Sequence, residues 1–196
     1  MCRGEDLNLH GLPHTALNGA CLPISTPRQS TLFYHLNLIF IVKSHMQQVT
    51  LLFLLKDNQI LLAMKKRGFG VGKWNGVGGK PQDNENIFNT AIRETQEEVN
   101  IIPLNISHVA TLDFYFKNKS EWNQQVLVFT THDWEGEPSE SEEMSPKWFD
   151  IKNIPFESMW ADDPFWLPKI LSGKKVNATF TFGDNDVILS QEIHEI

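Results

Sequence analysis

Residues 79–101 read GKPQDNENIFNTAIRETQEEVNI, and this stretch combines a helical pattern of apolar positions with a cluster of acidic side chains. At about 100° per residue, one set of side chains falls on a single face of a helix. This set comprises Phe88, Ala91, Ile92, Thr95 and Val99. Glu94, Glu97 and Glu98 fall on a separate face, centred about 120° from the first by the same count. The stretch therefore predicts a helix with a core-facing side and a side that presents three carboxylates.

The acidic face of this helix has two interpretations. Three neighbouring carboxylates repel one another unless a cation lies among them. Oxygen ligands placed in this way suit Mg²⁺, which takes few protein carboxylates and completes its shell with water and phosphate oxygens. Arg93 is four residues before Glu97 and projects next to it. On the triplet alone a solvated acidic face is favoured over a metal site, so the residues around it decide.

The spacing around the triplet changes that preference. Five residues separate Gly79 from Glu85, and seven separate Glu85 from Arg93. This spacing, continued by RETQEEVNI, resembles the Nudix box of the Nudix hydrolase family. The sequence departs from the motif at Asn100, where the family has glycine, and mildly at Thr95, where the family usually has a larger aliphatic residue. Asn tolerates the left-handed conformation that ends a helix, and neither departure affects a charged position, so a metal site is preferred.

The resemblance implies a fold and a catalytic centre. The fold class is α/β, as a Nudix α/β/α sandwich with a mixed β-sheet. Mg²⁺, with Mn²⁺ as a substitute, would be held by oxygen ligands on the helix and nearby loops. The implied ligands are the Gly78 carbonyl, Glu94, Glu97, Glu98 and Glu143. Arg93 would orient the glutamates, and Glu98 or a nearby carboxylate would activate the water that attacks phosphorus.

Segments outside the box resemble enzymes that hydrolyse oxidised purine nucleoside triphosphates of the 8-oxo-dGTP type. These segments lie at 65–80, 143–149 and 154–163, and the resemblance runs from about residue 50 to the C-terminus. It implies that Trp160 stacks on the base, that Asn75 reads its edge, and that Asp162 and Asp163 bond to its polar positions. The other implied substrate-binding residues are Thr50, Lys65, Phe69, Val77, Gly78, Gly79, Lys80 and Phe114.

The adjacent carboxyls of Asp162 and Asp163 support this interpretation on physical grounds. Beside aromatic walls they would be partly desolvated and would repel each other, so one is expected to stay protonated near neutral pH. A protonated and an ionised carboxyl together offer a donor and an acceptor, which suits both 8-oxo-guanine and 2-oxo-adenine. The plainer alternatives are a helix N-cap role for Asp163, just before Pro164, and core packing for Trp160.

Composition limits the partners and the location. The chain has 196 residues and a formal net charge of −7 at pH 7, which argues against binding to a nucleic-acid polymer. A polyphosphate substrate stays compatible, because divalent cations can lie between acidic protein and acidic ligand. No apolar run reaches the roughly 20 residues of a membrane span. The two cysteines, Cys2 and Cys21, leave the rest of the chain without disulfides. We expect a monomer in the cytoplasm, with mitochondrial or nuclear nucleotide pools as alternatives.

The chain divides into two parts by pattern. Residues 1–45 are rich in turn formers and lack sustained periodicity, so they are predicted to be a poorly ordered N-terminal extension, with a docked strand or a targeting segment as alternatives. Residues 46–196 are predicted to form the Nudix hydrolase domain. Strands are expected at 49–55, 59–64, 106–116, 125–131 and 147–150, and a terminal hairpin at 178–182 and 187–193. A second helix is expected between Asp163 and Gly173.

Three functions follow from these features. The first is magnesium-dependent hydrolysis of oxidised purine nucleoside triphosphates to monophosphate and pyrophosphate, which would sanitise the nucleotide pool. The second is Nudix hydrolysis of another nucleoside diphosphate derivative, and the third is nucleotide binding without catalysis. The intact glutamates and Arg93 argue against the third, and Asn75 with Trp160 and the two aspartates favours the first.

Overall fold

The computed structural model describes residues 46–196, so the predicted N-terminal extension lies outside the described residues. Within this range the strands are β1 Gln47–Lys56, β2 Gln59–Lys65, β3 Trp74–Asn75, β4 Ile102–Leu104, β5 Ser107–Phe116, β6 Gln124–Thr131, β7 Asp133–Glu135, β8 Met144–Asp150, β9 Val176–Phe182 and β10 Ile188–Glu195. The α-helices are α1 Ile87–Val99 and α2 Asp163–Leu171. No helix in this range is long and apolar enough to span a bilayer.

The predicted mixed sheet is confirmed. Eight strands form one sheet in the order β10-β9-β5-β6-β1-β2-β3, with β8 paired to β2 outside this path. β1 runs parallel to β6, and β5 runs parallel to β9, while the other pairs are antiparallel. β4 and β7 form a separate two-stranded sheet. The strands that sequence patterns did not predict, β3, β4 and β7, are too short to show a periodic pattern.

The large sheet carries a core on each face. Successive residues of a strand point to opposite faces, and β1 shows this directly. Phe53 packs in one core, together with Trp166 of α2. Leu52 and Leu54 pack in the other, together with Ala91 of α1. The sheet therefore lies between the two helices, and the predicted α/β/α sandwich is confirmed.

Helix α1 begins and ends as its sequence predicts. The side chain of Asn86 accepts a hydrogen bond from the N–H of Phe88 at 2.8 Å, which satisfies one of the free donors of the first turn. Asn100 adopts the left-handed conformation with φ 59° and ψ 32°, and its N–H bonds to the Gln96 carbonyl. Asn100 thus takes the helix-ending position that glycine has in the motif.

The buried face of α1 is rotated from the predicted one. The inclusion of Phe88 is wrong, because its side chain is 44% exposed and contacts the edge of Phe129 with ring centroids 5.0 Å apart. Thr90 and Glu98 are buried instead. Both have polar partners in this position: the Thr90 hydroxyl donates to Glu85, and the carboxylate of Glu98 accepts from the Gly78 N–H. These partners, rather than apolar periodicity alone, set the rotation of the helix.

Helix α2 occupies the predicted segment but starts differently. The prediction that Asp163 is the N-cap is wrong, because Asp163 lies in the first turn and the preceding Asp162 makes no side-chain capping bond. The Asp163 carboxylate instead accepts the N–H of Trp160 at 2.9 Å, and Asp162 accepts the indole N–H of Trp166 at 2.9 Å. Gly173 follows the helix with φ 86°, as predicted.

Substitution of Asn100 tests the end of α1. Asn100→Gly removes the remaining cost of a side chain in the left-handed region and should raise the free energy of unfolding by about 0.5 kcal/mol. Asn100→Ala should lower it by about 1 kcal/mol, because alanine tolerates this region less well. Urea denaturation followed by tryptophan fluorescence measures both values. A greater loss of stability for glycine than for alanine would contradict the assignment.

Candidate active site

The glycine-rich loop between β3 and α1 lies directly against β1. The N–H of Thr50 donates to the Gly79 carbonyl at 2.8 Å, and the N–H of Gly79 donates to the Thr50 hydroxyl at 3.2 Å. A side chain on Gly78 would collide with the backbone of Thr50. Leu52 and Val77 exchange backbone hydrogen bonds of 2.7 and 3.0 Å. These contacts hold the loop close to the sheet and, through Gly78, close to Glu98 of α1.

Arg93 binds three carboxylates. Its Nε and Nη2 atoms lie 2.8 and 2.9 Å from the two oxygens of Glu85. Its Nη1 atom lies 2.9 Å from an oxygen of Glu94 and 2.9 Å from an oxygen of Glu97, so these two side chains lie close together. The hydrogen bond from Arg93 contributes most to lowering the pKa of Glu85 to about 2. Arg93 is thus placed to orient the side chains of Glu94 and Glu97, as predicted for it. Sequence analysis assigned no role to Glu85, the third carboxylate of this network.

Glu98 and Glu94 are the most sheltered carboxylates of the helix. Glu98 is 5% exposed, and its two oxygens accept from the Gly78 N–H at 2.9 Å and from Lys65 Nζ at 3.2 Å. Burial raises the pKa of Glu98 above its ordinary value, and the contacts with Gly78 and Lys65 oppose this shift. Burial also raises the pKa of Glu94, against the effect of Arg93. Such carboxylates are suited to accept a proton or to bind a cation.

Glu143 joins the site from the segment before β8. One of its oxygens lies 3.2 Å from Lys65 Nζ, and the other lies 2.7 Å from an Nη atom of Arg67. The bond from Arg67, followed by that from Lys65, lowers the pKa of Glu143. Lys65 therefore bridges Glu98 and Glu143, which are 45 residues apart in the numbering of the chain. The structure thus brings together two of the predicted metal ligands that the sequence separates widely.

The donor set fits a hard divalent cation, although its members are engaged with cationic side chains. Among residues 46–196, no three His, Cys, Asp or Glu side chains already converge as a complete metal shell. Glu94 and Glu97 share Arg93, whereas Glu98 and Glu143 share Lys65. Carboxylate oxygens next to a backbone loop are the ligands that Mg²⁺ and Mn²⁺ prefer. The predicted metal role of these residues, and of the Gly78 carbonyl, stays a prediction.

A cavity of about 620 Å³ extends from Glu143 and Lys65 to the start of α2. This volume lies in the range of small-molecule sites. The predicted substrate-binding residues that line it are Thr50, Lys65, Phe69, Asn75, Gly78, Gly79, Lys80, Phe114, Trp160, Asp162 and Asp163. Val77 does not line it: its side chain is 2% exposed and packs in the core below α1, so its assignment to substrate is corrected.

Aromatic rings form one end of the cavity. Phe69, which is 59% exposed, stacks on Trp160 with 5.0 Å between centroids and 21° between planes. Trp122 contacts the other edge of Phe69 at 5.4 Å. Lys73 Nζ lies 4.7 Å from the centroid of the Trp160 ring and donates to the Met159 carbonyl at 3.2 Å. The plainer alternative for Trp160, burial in the core, does not hold, since its ring forms a wall of the cavity.

Asp162 and Asp163 are buried beside these rings. They are 4% and 2% exposed, respectively, and both line the cavity. Burial raises the pKa of Asp162 to about 6. Burial, and next the charge of Asp162, raises the pKa of Asp163 well above its ordinary value. These directions agree with the expectation that one of the two carboxyls stays protonated near neutral pH.

Several residues of the site were not singled out by the sequence. Lys73 lies within the segment 65–80 that carries the resemblance, and its charge lowers the pKa of both aspartates. Trp166 follows Asp162 by four residues, the spacing at which side chains meet on a helix. Trp122 comes from a short 3-10 turn, Ser120–Trp122, between β5 and β6, and no sequence pattern marks it.

The fold and the site define a class of protein: an α/β/α sandwich in which a glycine loop and a helix present carboxylates beside a ligand-sized cavity. The family model described as NUDIX domain matches residues 45–170. A Danio rerio protein named oxidized purine nucleoside triphosphate hydrolase is 43% identical over 148 residues, which cover 76% of this chain and 94% of that protein. A Mus musculus protein of the same name is 42% identical over 147 residues, which cover 75% and 94%.

A solved structure extends the comparison to the fold. The MutT protein from Bacillus halodurans matches with a TM-score of 0.68 and 26% identity, over 76% of this chain and 97% of that one. The helix carboxylates, their spacing and the sandwich agree with the family match. The chain belongs to the Nudix family.

The pKa of Asp163 offers a direct test of the buried pair. Asp162→Asn should lower the pKa of Asp163 but leave it above the ordinary value of 3.8, because the neighbouring charge is removed and the burial remains. The amide oxygen can still accept the Trp166 indole N–H, which makes this a conservative change. A ¹³C NMR titration of the side-chain carboxyls measures the shift. Asp133→Asn, on the exposed strand β7, is the control, and an unchanged Asp163 pKa in Asp162→Asn would refute the coupling.

Proposed function

We propose that the chain is a magnesium-dependent Nudix hydrolase of oxidised purine nucleoside triphosphates, such as 8-oxo-dGTP and 2-oxo-dATP. The products are the nucleoside monophosphate and pyrophosphate, so the enzyme removes damaged precursors from the nucleotide pool. Mg²⁺, with Mn²⁺ as a substitute, is part of the proposal, as are a monomeric state and a cytoplasmic location. The names of the Danio rerio and Mus musculus relatives support the substrate class.

The buried pair Asp162–Asp163 beside Trp160 is the observation that carries the substrate assignment. A base stacked on an aromatic ring gains about 1–3 kcal/mol without regard to its identity, so hydrogen bonds must supply the selectivity. A carboxyl that keeps its proton donates a bond, and its ionised neighbour accepts one. Oxidation adds a carbonyl and changes which groups along the purine edge donate hydrogen bonds. A carboxyl pair that holds one proton offers one donor and one acceptor, and so can bond to both oxidised bases.

Asn75 adds a fixed donor to the lining of the cavity. Its side-chain oxygen accepts the N–H of Gly76 at 2.8 Å. Because this bond engages the amide oxygen, the amide nitrogen with its two hydrogens is the group that can donate to a ligand. A site built to hydrogen-bond a specific edge discriminates strongly against bases that lack the matching group, because its own polar groups are then left unpaired.

The opposite end of the cavity suits the triphosphate. Lys65 and Lys80 line it, together with the backbone of Gly78 and Gly79. The cation, when bound there, supplies an activated water and neutralises charge on the leaving phosphate. Glu94, Glu97, Glu98, Glu143 and the Gly78 carbonyl would hold it. Arg93 keeps the helix carboxylates in position, and Glu98 would accept a proton, since burial raises its pKa above the ordinary value.

A substrate panel tests the proposal. The panel contains 8-oxo-dGTP, 2-oxo-dATP, a methylated guanine triphosphate, dGTP, dATP, ADP-ribose and a dinucleoside polyphosphate, and detects pyrophosphate and phosphate separately. We expect pyrophosphate release, with kcat/KM for the oxidised nucleotides at least about tenfold above that for the undamaged ones, the effect of about 1.4 kcal/mol of selective bonding. Preferred cleavage of ADP-ribose or of the dinucleotide would replace the substrate assignment. Binding without turnover would identify a silent module.

The catalytic assignment predicts a large effect of Glu98→Gln. The change keeps the size of the side chain and removes the buried negative charge, so kcat should fall by about 10²–10⁴-fold. Glu135→Gln, at an exposed position on β7, is the matched control and should retain wild-type kcat. Pyrophosphate release by both variants, with circular dichroism to verify folding, makes the comparison. Equal rates for the two variants would remove Glu98 from the mechanism.

A further inference from the structure

The ammonium group of Lys65 lies between two carboxylates that come from different parts of the chain. Its Nζ atom is 3.2 Å from Glu98 Oε1 and 3.2 Å from Glu143 Oε2. The side chain of Lys65 is 24% exposed, that of Glu98 is 5% exposed and that of Glu143 is 43% exposed. The Lys65–Glu98 ion pair is therefore sheltered from solvent and is screened less by salt than a surface pair. The Lys65–Glu143 ion pair is more open to solvent.

Each of these carboxylates is held from its other side. The second oxygen of Glu98 accepts the Gly78 N–H at 2.9 Å, and the second oxygen of Glu143 accepts from Arg67 at 2.7 Å. The oxygens that face each other are thus fixed in direction, and Lys65 supplies the positive charge between them. Two carboxylates directed at one point form the kind of place that a hard cation occupies.

Lys65 is also able to leave this position. It lines the cavity, and its ammonium is a point charge on a flexible four-carbon stem. A triphosphate brings several negative charges to the same end of the cavity, next to Lys80 and the glycine backbone. Lys65 can therefore exchange its carboxylate partners for phosphate oxygens without a change of backbone.

We propose that Lys65 is a resident counter-cation that closes the Glu98–Glu143 position in the free protein and moves to the phosphates when nucleotide binds. The inference rests on the proposed metal-dependent function and assigns Lys65 a second role, as the positioning residue that couples metal binding to nucleotide binding. In the free protein the ammonium competes for the two carboxylates, so affinity for a divalent cation is low. With nucleotide present the competitor is withdrawn, and the cation and the substrate bind together.

Mn²⁺ binding to the full-length protein tests this inference without turnover. Lys65→Met keeps the apolar stem and removes the charge, so Mn²⁺ should bind the free variant about tenfold more tightly than wild type, a difference of about 1.4 kcal/mol. Electron paramagnetic resonance of unbound Mn²⁺ gives the dissociation constants. A second titration, with the non-hydrolysable analogue α,β-methylene-dGTP, measures how much nucleotide strengthens Mn²⁺ binding. This enhancement should be smaller in Lys65→Met than in wild type.

The neighbouring lysine provides the matched control. Lys66 pairs with Glu140 away from the cavity, so Lys66→Met removes the same net charge without opening the Glu98–Glu143 position. It should change Mn²⁺ affinity by less than about twofold, because its ammonium pairs with the exposed Glu140 and does not lie between Glu98 and Glu143. Thermal unfolding verifies that both variants are folded.

The outcomes separate the inference from the function. Unchanged or weaker Mn²⁺ binding in Lys65→Met, with Mn²⁺ binding still lost in Glu98→Gln, would overturn the role of Lys65 and leave the metal-dependent function in place. Equal tightening in Lys65→Met and Lys66→Met would overturn it as well, since net charge alone would account for the effect. Failure of every variant and of wild type to bind Mn²⁺, with or without nucleotide, would overturn the metal site and the inference together.

Discussion

The close approach of Gly78 and Gly79 to the sheet is the constraint on which the site depends. Backbone bonds join this loop to Thr50 of β1, while the N–H of Gly78 bonds to Glu98 of α1. The Glu94 carboxyl occupies the space into which a side chain at position 79 would extend. A side chain at position 78 would push the loop away from β1, and one at position 79 would displace the Glu94 carboxyl. The glycines therefore let a carboxylate-bearing helix reach the floor of the cavity, and a single contact region joins sheet, loop and helix.

Sequence reasoning located the parts of this arrangement better than it oriented them. The motif spacing placed the carboxylates, and Asn100 ends α1 as its residue type predicts, because both depend on local rules. The rotation of α1 depends on bonds from Glu98 to Gly78 and Lys65, which lie 20 and 33 residues away, and periodicity contains no information about them. The capping rule failed at Asp163 for the same reason, since burial beside the aromatic wall gives this carboxylate a tertiary role.

The net charge of −7 is accompanied by a local balance of positive and negative groups around the helix carboxylates. Lys65, Arg67 and Arg93 each bind at least two carboxylates there, so positive and negative groups alternate through the site. The opposite charges of such an arrangement attract one another at short range. Because they largely cancel, they do not attract a polyanion over a long distance. In the proposed function, phosphate oxygens would replace protein carboxylates as partners of Lys65, and Lys80 lines the cavity as a further cation.

Burial affects carboxyl groups at both ends of the cavity, but the groups that contact these carboxyls differ. Burial raises the pKa of Glu98 at one end and of Asp162 and Asp163 at the other. At Glu98 the opposing contacts are the N–H of Gly78 and the ammonium of Lys65, both of which favour the ionised form. At Asp162 the contact that most opposes burial is the neutral indole N–H of Trp166, and the charge of Lys73 acts in the same direction. At Asp163 the charge of Asp162 adds to the effect of burial and raises the pKa further. The same direction of pKa shift therefore arises in different surroundings: a backbone N–H and an ammonium contact Glu98 directly, whereas an indole N–H contacts Asp162 and a second carboxyl adjoins Asp163.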